Sequence, residues 1–266
     1  MANCWNIPAY GASFHMGARI ILRDRSDLLS KLVIFSVLLL VFARIFAIMP
    51  LERLNMPQIT ADRLLWYFVM TEIVTVGSQG LRRDLGRTIA AGQITSLMQR
   101  PGSMMLLALA RLFGSYLTQM TLLLCFVCIA LPILGLPMPM PWTYMPLLVV
   151  MLALGGLITL LLGYMTGMFE IFGPYSQPID WIAHKFVMAF GGLFFPVSLF
   201  PAFAQQIVML TPFPAILFIP GNMMLDVSAG AIFDGLLHQL FWVVALGLIA
   251  LGMENRLVHR VMRLGD

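Results

Sequence analysis

Charge is scarce in this 266-residue sequence: Asp, Glu, Lys and Arg make up 11% of it, whereas 60% is hydrophobic and the mean hydropathy is +0.91. Soluble domains carry about 25% charged residues, so the composition excludes a soluble protein and indicates an integral membrane protein. Apolar runs long enough for helical spans of about 20 residues recur along the chain. The sequence therefore predicts an all-α membrane protein and not a β-barrel, whose strands alternate over about 10 residues.

Catalytic and ligand-binding motifs are also lacking. The three cysteines are too few for a disulfide framework, and the C-x-x-C spacing of Cys125 and Cys128 falls inside an apolar run, where buried small side chains are the simpler interpretation. The only lysines, Lys31 and Lys185, do not follow a glycine, so the phosphate-binding motif G-x-x-x-x-G-K-[ST] is absent. We expect no catalytic, cofactor-binding or metal site on this chain, and any energy must come from a partner or an ion gradient.

Apolar segments predict six transmembrane helices in a single domain, 1–266. They cover residues 31–49, 64–80, 106–131, 147–168, a fifth that starts at Trp181, and 236–252. Of the sixteen Lys and Arg residues, only Arg44, Arg53 and Arg63 fall on or near one side of the membrane. The positive-inside rule then places both termini in the cytoplasm. Topology explains the net charge of +4, which gives no reason to expect a nucleic-acid partner.

The stretch before the first span is amphipathic. Phe14, Ile21 and Leu28 recur every seven residues beside a charged side, which predicts a cytoplasmic interfacial helix within residues 1–29. A solvated, salt-bridged helix is the alternative.

Residues 191–224 are too apolar for a water-facing loop and too often broken for one membrane helix. Proline removes a backbone donor and breaks or kinks a helix. A break or kink is therefore expected at each of Pro196, Pro201, Pro212, Pro214 and Pro220. We expect a re-entrant helical segment between the fifth and sixth spans, entered from the external side. Irregular backbone at that depth must be buried in protein or line a wet cavity, so such a segment implies a path or a gate.

Glu72 is the one acid placed well within a predicted span. An ionisable group there is a candidate for the transport pathway, and packing against a buried donor such as a neighbouring threonine is the structural alternative. Arg44, near the outer end of the first span, is interpreted as snorkelling to the headgroups, although a place in the pathway stays open.

Residues 81–101 form the most polar internal stretch, with Arg82, Arg83, Arg87 and Arg100. This cytoplasmic loop fits a surface element held by another protein, or an ordinary positive loop that serves only topology. In the fourth span, Gly163 and Gly167 form a G-x-x-x-G pair that favours close helix contact, either within the chain or between subunits.

Two stretches together resemble the membrane subunits of type-2 ABC exporters, in particular the bacterial six-span permeases that work with a separate ATPase. The cytoplasmic stretch matches at Ile89, Ala91, Gly92, Leu97, Arg100 and Pro101. The broken stretch matches at Phe195, Pro196, Leu199, Phe200, Pro201, Thr211, Pro212, Phe213 and Pro214.

This resemblance implies a permease subunit of an ATP-driven exporter in the bacterial inner membrane, working by alternating access. It implies a partner permease of the same or a similar chain and two ABC ATPase subunits that bind ATP and Mg. The loop 81–101 becomes the coupling loop, and 191–224 becomes two short re-entrant helices that form the gate. Gln93 stands where the family often has an acid, which weakens the case for a salt bridge to the ATPase there.

Two readings from other classes stay open. An ion-coupled secondary transporter would use Glu72 to carry a proton, although the sequence shows no internal repeat. A scaffold subunit of a membrane complex would use its many methionines and phenylalanines only to face lipid. None of these motifs specifies the substrate, a homodimer or a heterodimer.

Overall fold

The computed structural model describes residues 7–49, 59–92, 103–173 and 176–264, and within these ranges the only regular structure is helical. Eleven α-helices are labelled here in chain order: α1 Ile7–Arg23, α2 Arg25–Ile48, α3 Ala61–Ser78, α4 Asp84–Ala90, α5 Met104–Ile133, α6 Met145–Met168, α7 Ser176–Phe190, α8 Ala202–Met209, α9 Phe213–Ile216, α10 Phe218–Asn222 and α11 Ala229–Leu264. The all-α prediction is confirmed for this part of the chain.

Four helical stretches in the described residues are long and apolar enough to cross a membrane: Arg25–Ile48, Met104–Ile133, Trp142–Ile171 and Ala229–Arg256. They coincide with the predicted first, third, fourth and sixth spans. The predicted second span falls on α3, which carries Asp62, Arg63 and Glu72, and the predicted fifth falls on α7, which has only 15 residues. Neither of these two helices meets the same length and charge limits.

Helices α3, α5 and α6 form the centre of the bundle. The four largest fully buried side chains in the described residues come from these three helices: Trp66, Tyr67, Tyr116 and Tyr164. Fourteen of the eighteen residues of α3 are buried, whereas the apolar stretches of α2 and α11 are only 17% buried. Exposed apolar side chains on α2 and α11 suit contact with lipid or another apolar surface.

Helix α1 packs along the first half of α5. A Cβ on Gly17 would lie 1.9 Å from the backbone oxygen of Arg111, and one on Gly114 would lie 2.2 Å from that of Phe14. Ser115 Oγ donates a hydrogen bond to the Gly17 carbonyl at 2.9 Å. The predicted range 1–29 thus contains two elements, because Asp24 ends α1 and caps α2 by accepting from the Asp27 N–H at 3.1 Å.

Residues 191–224 form a 3₁₀ turn, Val197–Leu199, followed by the short helices α8, α9 and α10. Pro196, Pro201 and Pro212 each occupy the cap position just before a helix or turn. Pro214 lies in the first turn of α9, where a backbone N–H has no acceptor within the helix and its loss is tolerated. A break at Leu217 separates α9 from α10, so this stretch has three short helices where the resemblance implied two.

Candidate functional site

One end of the bundle, called here the basic end, holds residues 81–92 together with the ends of α5, α6 and α7 that lie beside them. Arg82 Nη1 lies 3.5 Å from Asp180 Oδ1 at the start of α7, and both side chains are about nine-tenths buried. Burial lowers the pKa of the Arg82 guanidinium and Asp180 raises it; arginine stays charged across the physiological range. The ion pair therefore fixes the chain just after α3 against α7.

Residues 82–86 pack against the G-x-x-x-G pair of α6. A Cβ on Gly163 would lie 2.7 Å from Arg82 Cα, and one on Gly167 would lie 2.9 Å from the backbone nitrogen of Gly86. Real Cβ atoms do not come this close, so both positions need glycine for the backbone of residues 82–86 to reach the helix. Gly163 and Gly167 thus make an intrachain contact.

The predicted coupling residues do not share one environment. Arg82 is paired and buried, Arg83 is half-buried, and Arg87 on α4 is exposed. Gly92 has φ +73° with open space around its Cα, as expected of a residue that ends a helix with a turn. Gln93 and Arg100 lie outside the described residues.

Helix α4 itself is fixed by an ion pair between Asp84 and Arg111 of α5. Its buried face consists of Leu85, Gly86 and Ile89, and this face packs on α6. Arg87 lies on the exposed side of the helix, where a partner protein can reach it.

Glu254, near the end of the apolar part of α11, lies at the basic end and contacts the start of α5. Its carboxylate accepts from the N–H groups of Met104 and Met105 at 2.9 and 3.0 Å, and from Tyr164 Oη at 3.3 Å. Ser103 Oγ also lies 3.2 Å from it. A carboxylate at a helix N-terminus is stabilised by the orphan N–H groups and the helix dipole. Glu254 therefore fixes the point where the loop ends and α5 begins.

Helix α3 joins the basic end to residues 191–225. After its last turn the chain passes through Gln79 and Gly80 into the 3₁₀ turn Leu81–Arg83. Near its middle, Tyr67 Oη donates to the Gly192 carbonyl at 2.5 Å, and Thr71 Oγ1 donates to the Leu193 carbonyl at 2.9 Å. At its first turn, Arg63 Nη1 donates to the Leu225 carbonyl at 3.3 Å. One buried helix thus connects the basic end to residues 191–225.

The broken segment reaches into the middle of the bundle from the other end. Gly155 is the eleventh residue of α6, about 15 Å along that helix, and a Cβ there would lie 2.5 Å from the Ile216 carbonyl oxygen. Gln239 of α11, fully buried, donates to the carbonyls of Met151 and Ala215 at 2.9 and 2.8 Å. These bonds join α11 to α6 and to the end of α9, next to the break at Leu217.

A cavity of about 790 Å³ lies between α2, α3 and α7. Its polar lining includes Glu72, Gln79, Arg82, Asp180 and His184, and its apolar lining includes Leu38, Val76, Met188 and Phe194. Trp181 and Ile182, which are at least half exposed, also line it, so the cavity reaches the surface of the chain.

Glu72 lies in the wall of this cavity and is only 6% exposed. The neighbouring hydroxyls are engaged elsewhere: Thr71 donates to the Phe68 and Leu193 carbonyls, and Thr75 donates to the Thr71 carbonyl. No hydrogen bond or ion pair reaches the Glu72 carboxylate from any described residue. Thr71 and Thr75 therefore donate no hydrogen bond to Glu72, and the alternative in which a neighbouring threonine pairs with this acid does not apply.

A family model described as ABC-2 family transporter protein matches residues 28–260, which is most of the chain. The chain belongs to the ABC-2 transporter family. No curated protein matches it at a significant level.

Membership of the ABC-2 family confirms the resemblance to type-2 ABC permeases and makes this chain a membrane permease subunit and not a catalytic one. It also implies association with an ABC ATPase, and it does not favour the ion-coupled secondary transporter. The contacts described above are those of an ABC-2 membrane subunit.

Sequence reasoning missed Asp180, Gln239 and Glu254 in this ABC-2 subunit. For Glu254 the signal was an acid just after the apolar run 236–252. The partners of Asp180 and Gln239 lie 98 and 24 or more residues away, and no local pattern reveals such pairings.

Proposed function

We propose that this chain is one of two permease subunits of an ATP-driven exporter in the bacterial inner membrane. Two ABC ATPase subunits would supply the ATP and Mg sites, and this chain would bind no cofactor. The observation that carries the proposal is the position of α3. The chain after this helix leads into Leu81–Arg83, and side chains of the helix donate hydrogen bonds to the Gly192, Leu193 and Leu225 carbonyls. In the proposed topology α3 therefore connects a cytoplasmic docking segment to an external segment.

The proposed topology has six spans with both termini in the cytoplasm. Helix α3 is the second span; its charged residues are tolerated because Asp62 and Arg63 sit at its first turn and Glu72 faces a cavity. Helix α7, about 22 Å long at 1.5 Å per residue, is the inner part of the fifth span. Residues 191–224 complete that crossing and form the re-entrant gate, which the depth of the Gly155 and Gln239 contacts supports.

The proposed mechanism is alternating access. ATP binding closes the ATPase pair and draws the loops 81–101 of the two permeases together. Because Gly163 and Gly167 hold residues 82–86 on α6, and α3 continues from the same residues, both helices move with the loop. The gate containing Pro196, Pro201, Pro212 and Pro214 then opens at the external end. A second permease, the same chain or a similar one, closes the open side of the cavity next to α2 and α7.

Co-purification tests this function. We expect a tagged full-length chain, extracted from membranes of its own organism with a mild detergent, to bring down an ATP-hydrolysing subunit. Absence of any ATPase from the purified material contradicts the proposal.

Charge reversal at Arg87 tests the docking surface. Arg87→Glu should lower the amount of ATPase recovered at least about threefold, because a rim charge governs association with a partner, without changing the thermal stability of the permease. Arg23→Glu is the matched control, since Arg23 is likewise an exposed arginine, on α1. Equal recovery of ATPase with both variants contradicts a docking role for Arg87.

A further inference from the structure

The buried carboxylate of Glu72 lacks a counter-ion within the part of the chain that the structure describes. Transfer of an isolated carboxylate into an apolar surrounding costs far more than transfer of a paired one. The carboxylate also faces a cavity and not the packed core. A positively charged ligand in the cavity would supply the missing partner.

The other charges around the cavity do not supply it. Arg82 is paired with Asp180, and Arg83 is half-buried at the far end, beyond Gln79. Gln79 follows Glu72 by seven residues, about 10 Å along a helix. Lys185 lies over the ring of Trp181, 5.5 Å from its centroid. His184 lines the cavity together with Arg82 and Asp180, at the basic end of the bundle.

The rest of the wall favours an organic ligand. Phe194 is held flat against Phe42 and Phe68, with ring centroids 5.4 and 6.2 Å apart, and Leu38 and Met188 extend the apolar surface. Aromatic faces attract cations as well as apolar groups. A volume of about 790 Å³ lies in the range of about 300–1,000 Å³ that holds drug-sized ligands.

A metal ion does not fit the same place. Divalent cations such as Ca²⁺ take six to eight oxygen ligands, whereas Glu72 is a single carboxylate. No group of three His, Cys, Asp or Glu side chains that could hold a metal occurs in the described residues.

We propose that the cavity between α2, α3 and α7 binds a lipophilic organic cation, with Glu72 as its counter-ion and Phe194, Met188 and Leu38 as its apolar wall. This inference rests on the proposed function, since it assigns a substrate class to the permease pathway. Phe194 belongs to residues 191–224, so the gate segment supplies part of the wall of this site.

A pair of probes with the same shape and opposite charge tests the site. Tetraphenylphosphonium and tetraphenylborate differ mainly in the sign of their charge. Their binding is measured by equilibrium dialysis to the full-length chain, with whatever subunits purify with it, in nanodiscs of zwitterionic lipid, and binding to empty nanodiscs is subtracted. Glu72→Gln should weaken tetraphenylphosphonium binding at least about tenfold, as expected for loss of a buried counter-charge, and should not weaken tetraphenylborate binding.

Two matched variants separate loss of the Glu72 charge from the general effects of replacing an acid on α3. Asp62→Asn alters an exposed acid on the first turn of the same helix and should leave both affinities within about twofold, since exposed charges contribute little. Glu72→Asp keeps the charge and should keep the preference for the cation. If Glu72→Gln does not yield folded protein, Thr75→Lys places a cation one turn away in the cavity wall and should abolish tetraphenylphosphonium binding.

Equal tetraphenylphosphonium binding by the unaltered chain and Glu72→Gln overturns the proposal. So does loss of subunit pairing in Glu72→Gln with unchanged cation binding, measured by native mass spectrometry, because Glu72 would then pair with a base of a second subunit. Cation binding needs no ATPase, so absence of an ATPase from the preparation contradicts the exporter and leaves the cation site standing.

Discussion

Two buried acids of this chain have opposite surroundings. The Glu254 carboxylate meets two backbone N–H groups, a tyrosine hydroxyl and a serine hydroxyl. The Glu72 carboxylate meets no donor among the described residues and faces a cavity. A satisfied acid stabilises the fold, whereas an unsatisfied one costs stability and is the stronger candidate for function.

Glu254→Gln is expected to destabilise the bundle. The amide has one acceptor oxygen and places an NH₂ group where the carboxylate accepted from the Met104 and Met105 N–H groups. We expect a loss of about 1–3 kcal/mol in the free energy of unfolding, the cost of a buried unsatisfied donor. It is measured as a lower thermal midpoint by intrinsic fluorescence in detergent.

Asp234→Asn is the control for this change, because Asp234 is an exposed acid on the same helix. An equal fall in the midpoint for both variants contradicts the capping role of Glu254.

The two acids differ in how visible they are in the sequence. Glu72 interrupts an apolar run, so a pathway candidate could be predicted from its neighbours alone. The role of Glu254 could not, because the helix start that it caps lies 150 residues earlier in the chain. Long-range pairings of this kind depend on how the helices pack, and no local pattern encodes them.

Glycines set the distances between the central helices. A Cβ on Gly156 of α6 would lie 2.0 Å from the ring of Tyr116 on α5. The same tyrosine donates a hydrogen bond to the Leu152 carbonyl at 2.8 Å, which holds its ring in place. Helices α5 and α6 can therefore approach this closely only with glycine at position 156.

Gly156→Ala should lower the free energy of unfolding by about 1–3 kcal/mol or more, the usual cost of overpacking a core. Thermal unfolding of the purified chain measures it. Gly247→Ala on α11 is the matched control, since nothing lies within 4 Å of a Cβ there; it should leave stability unchanged or raise it by up to about 1 kcal/mol through helix propensity. Equal stability of Gly156→Ala and Gly247→Ala would contradict this packing role of Gly156.

The long apolar helices could be predicted from the sequence, whereas one helix break and the contacts of residues 191–224 could not. Helices α2, α5, α6 and α11 follow from apolar runs longer than the hydrocarbon core requires. The break at Asp24 was not anticipated, because charged residues on both sides of it continue a helical pattern. Pro196, Pro201 and Pro212 predicted breaks in residues 191–224, whereas Pro214 and Pro220 lie inside α9 and α10. The contacts of this segment with α3 and α6 depend on Tyr67 and Gly155, which carry no signal of their own.

The whole molecule is organised around two buried helices that contact both the basic end and the broken segment. Helix α6 holds residues 82–86 at Gly163 and Gly167 and the Ile216 carbonyl at Gly155. Helix α3 continues into Leu81–Arg83 and binds the Gly192 and Leu193 carbonyls. We therefore expect ATP binding by a partner ATPase to move residues 191–224 through α3 and α6.

Hydrogen–deuterium exchange of the purified permease–ATPase complex tests this claim most directly. Backbone amides of residues 191–224 are followed by mass spectrometry with and without a non-hydrolysable ATP analogue, and the central part of α5 serves as the internal reference. We expect faster exchange in 191–224 when the analogue is bound, with unchanged exchange in α5. Identical exchange of 191–224 in the two states would contradict it.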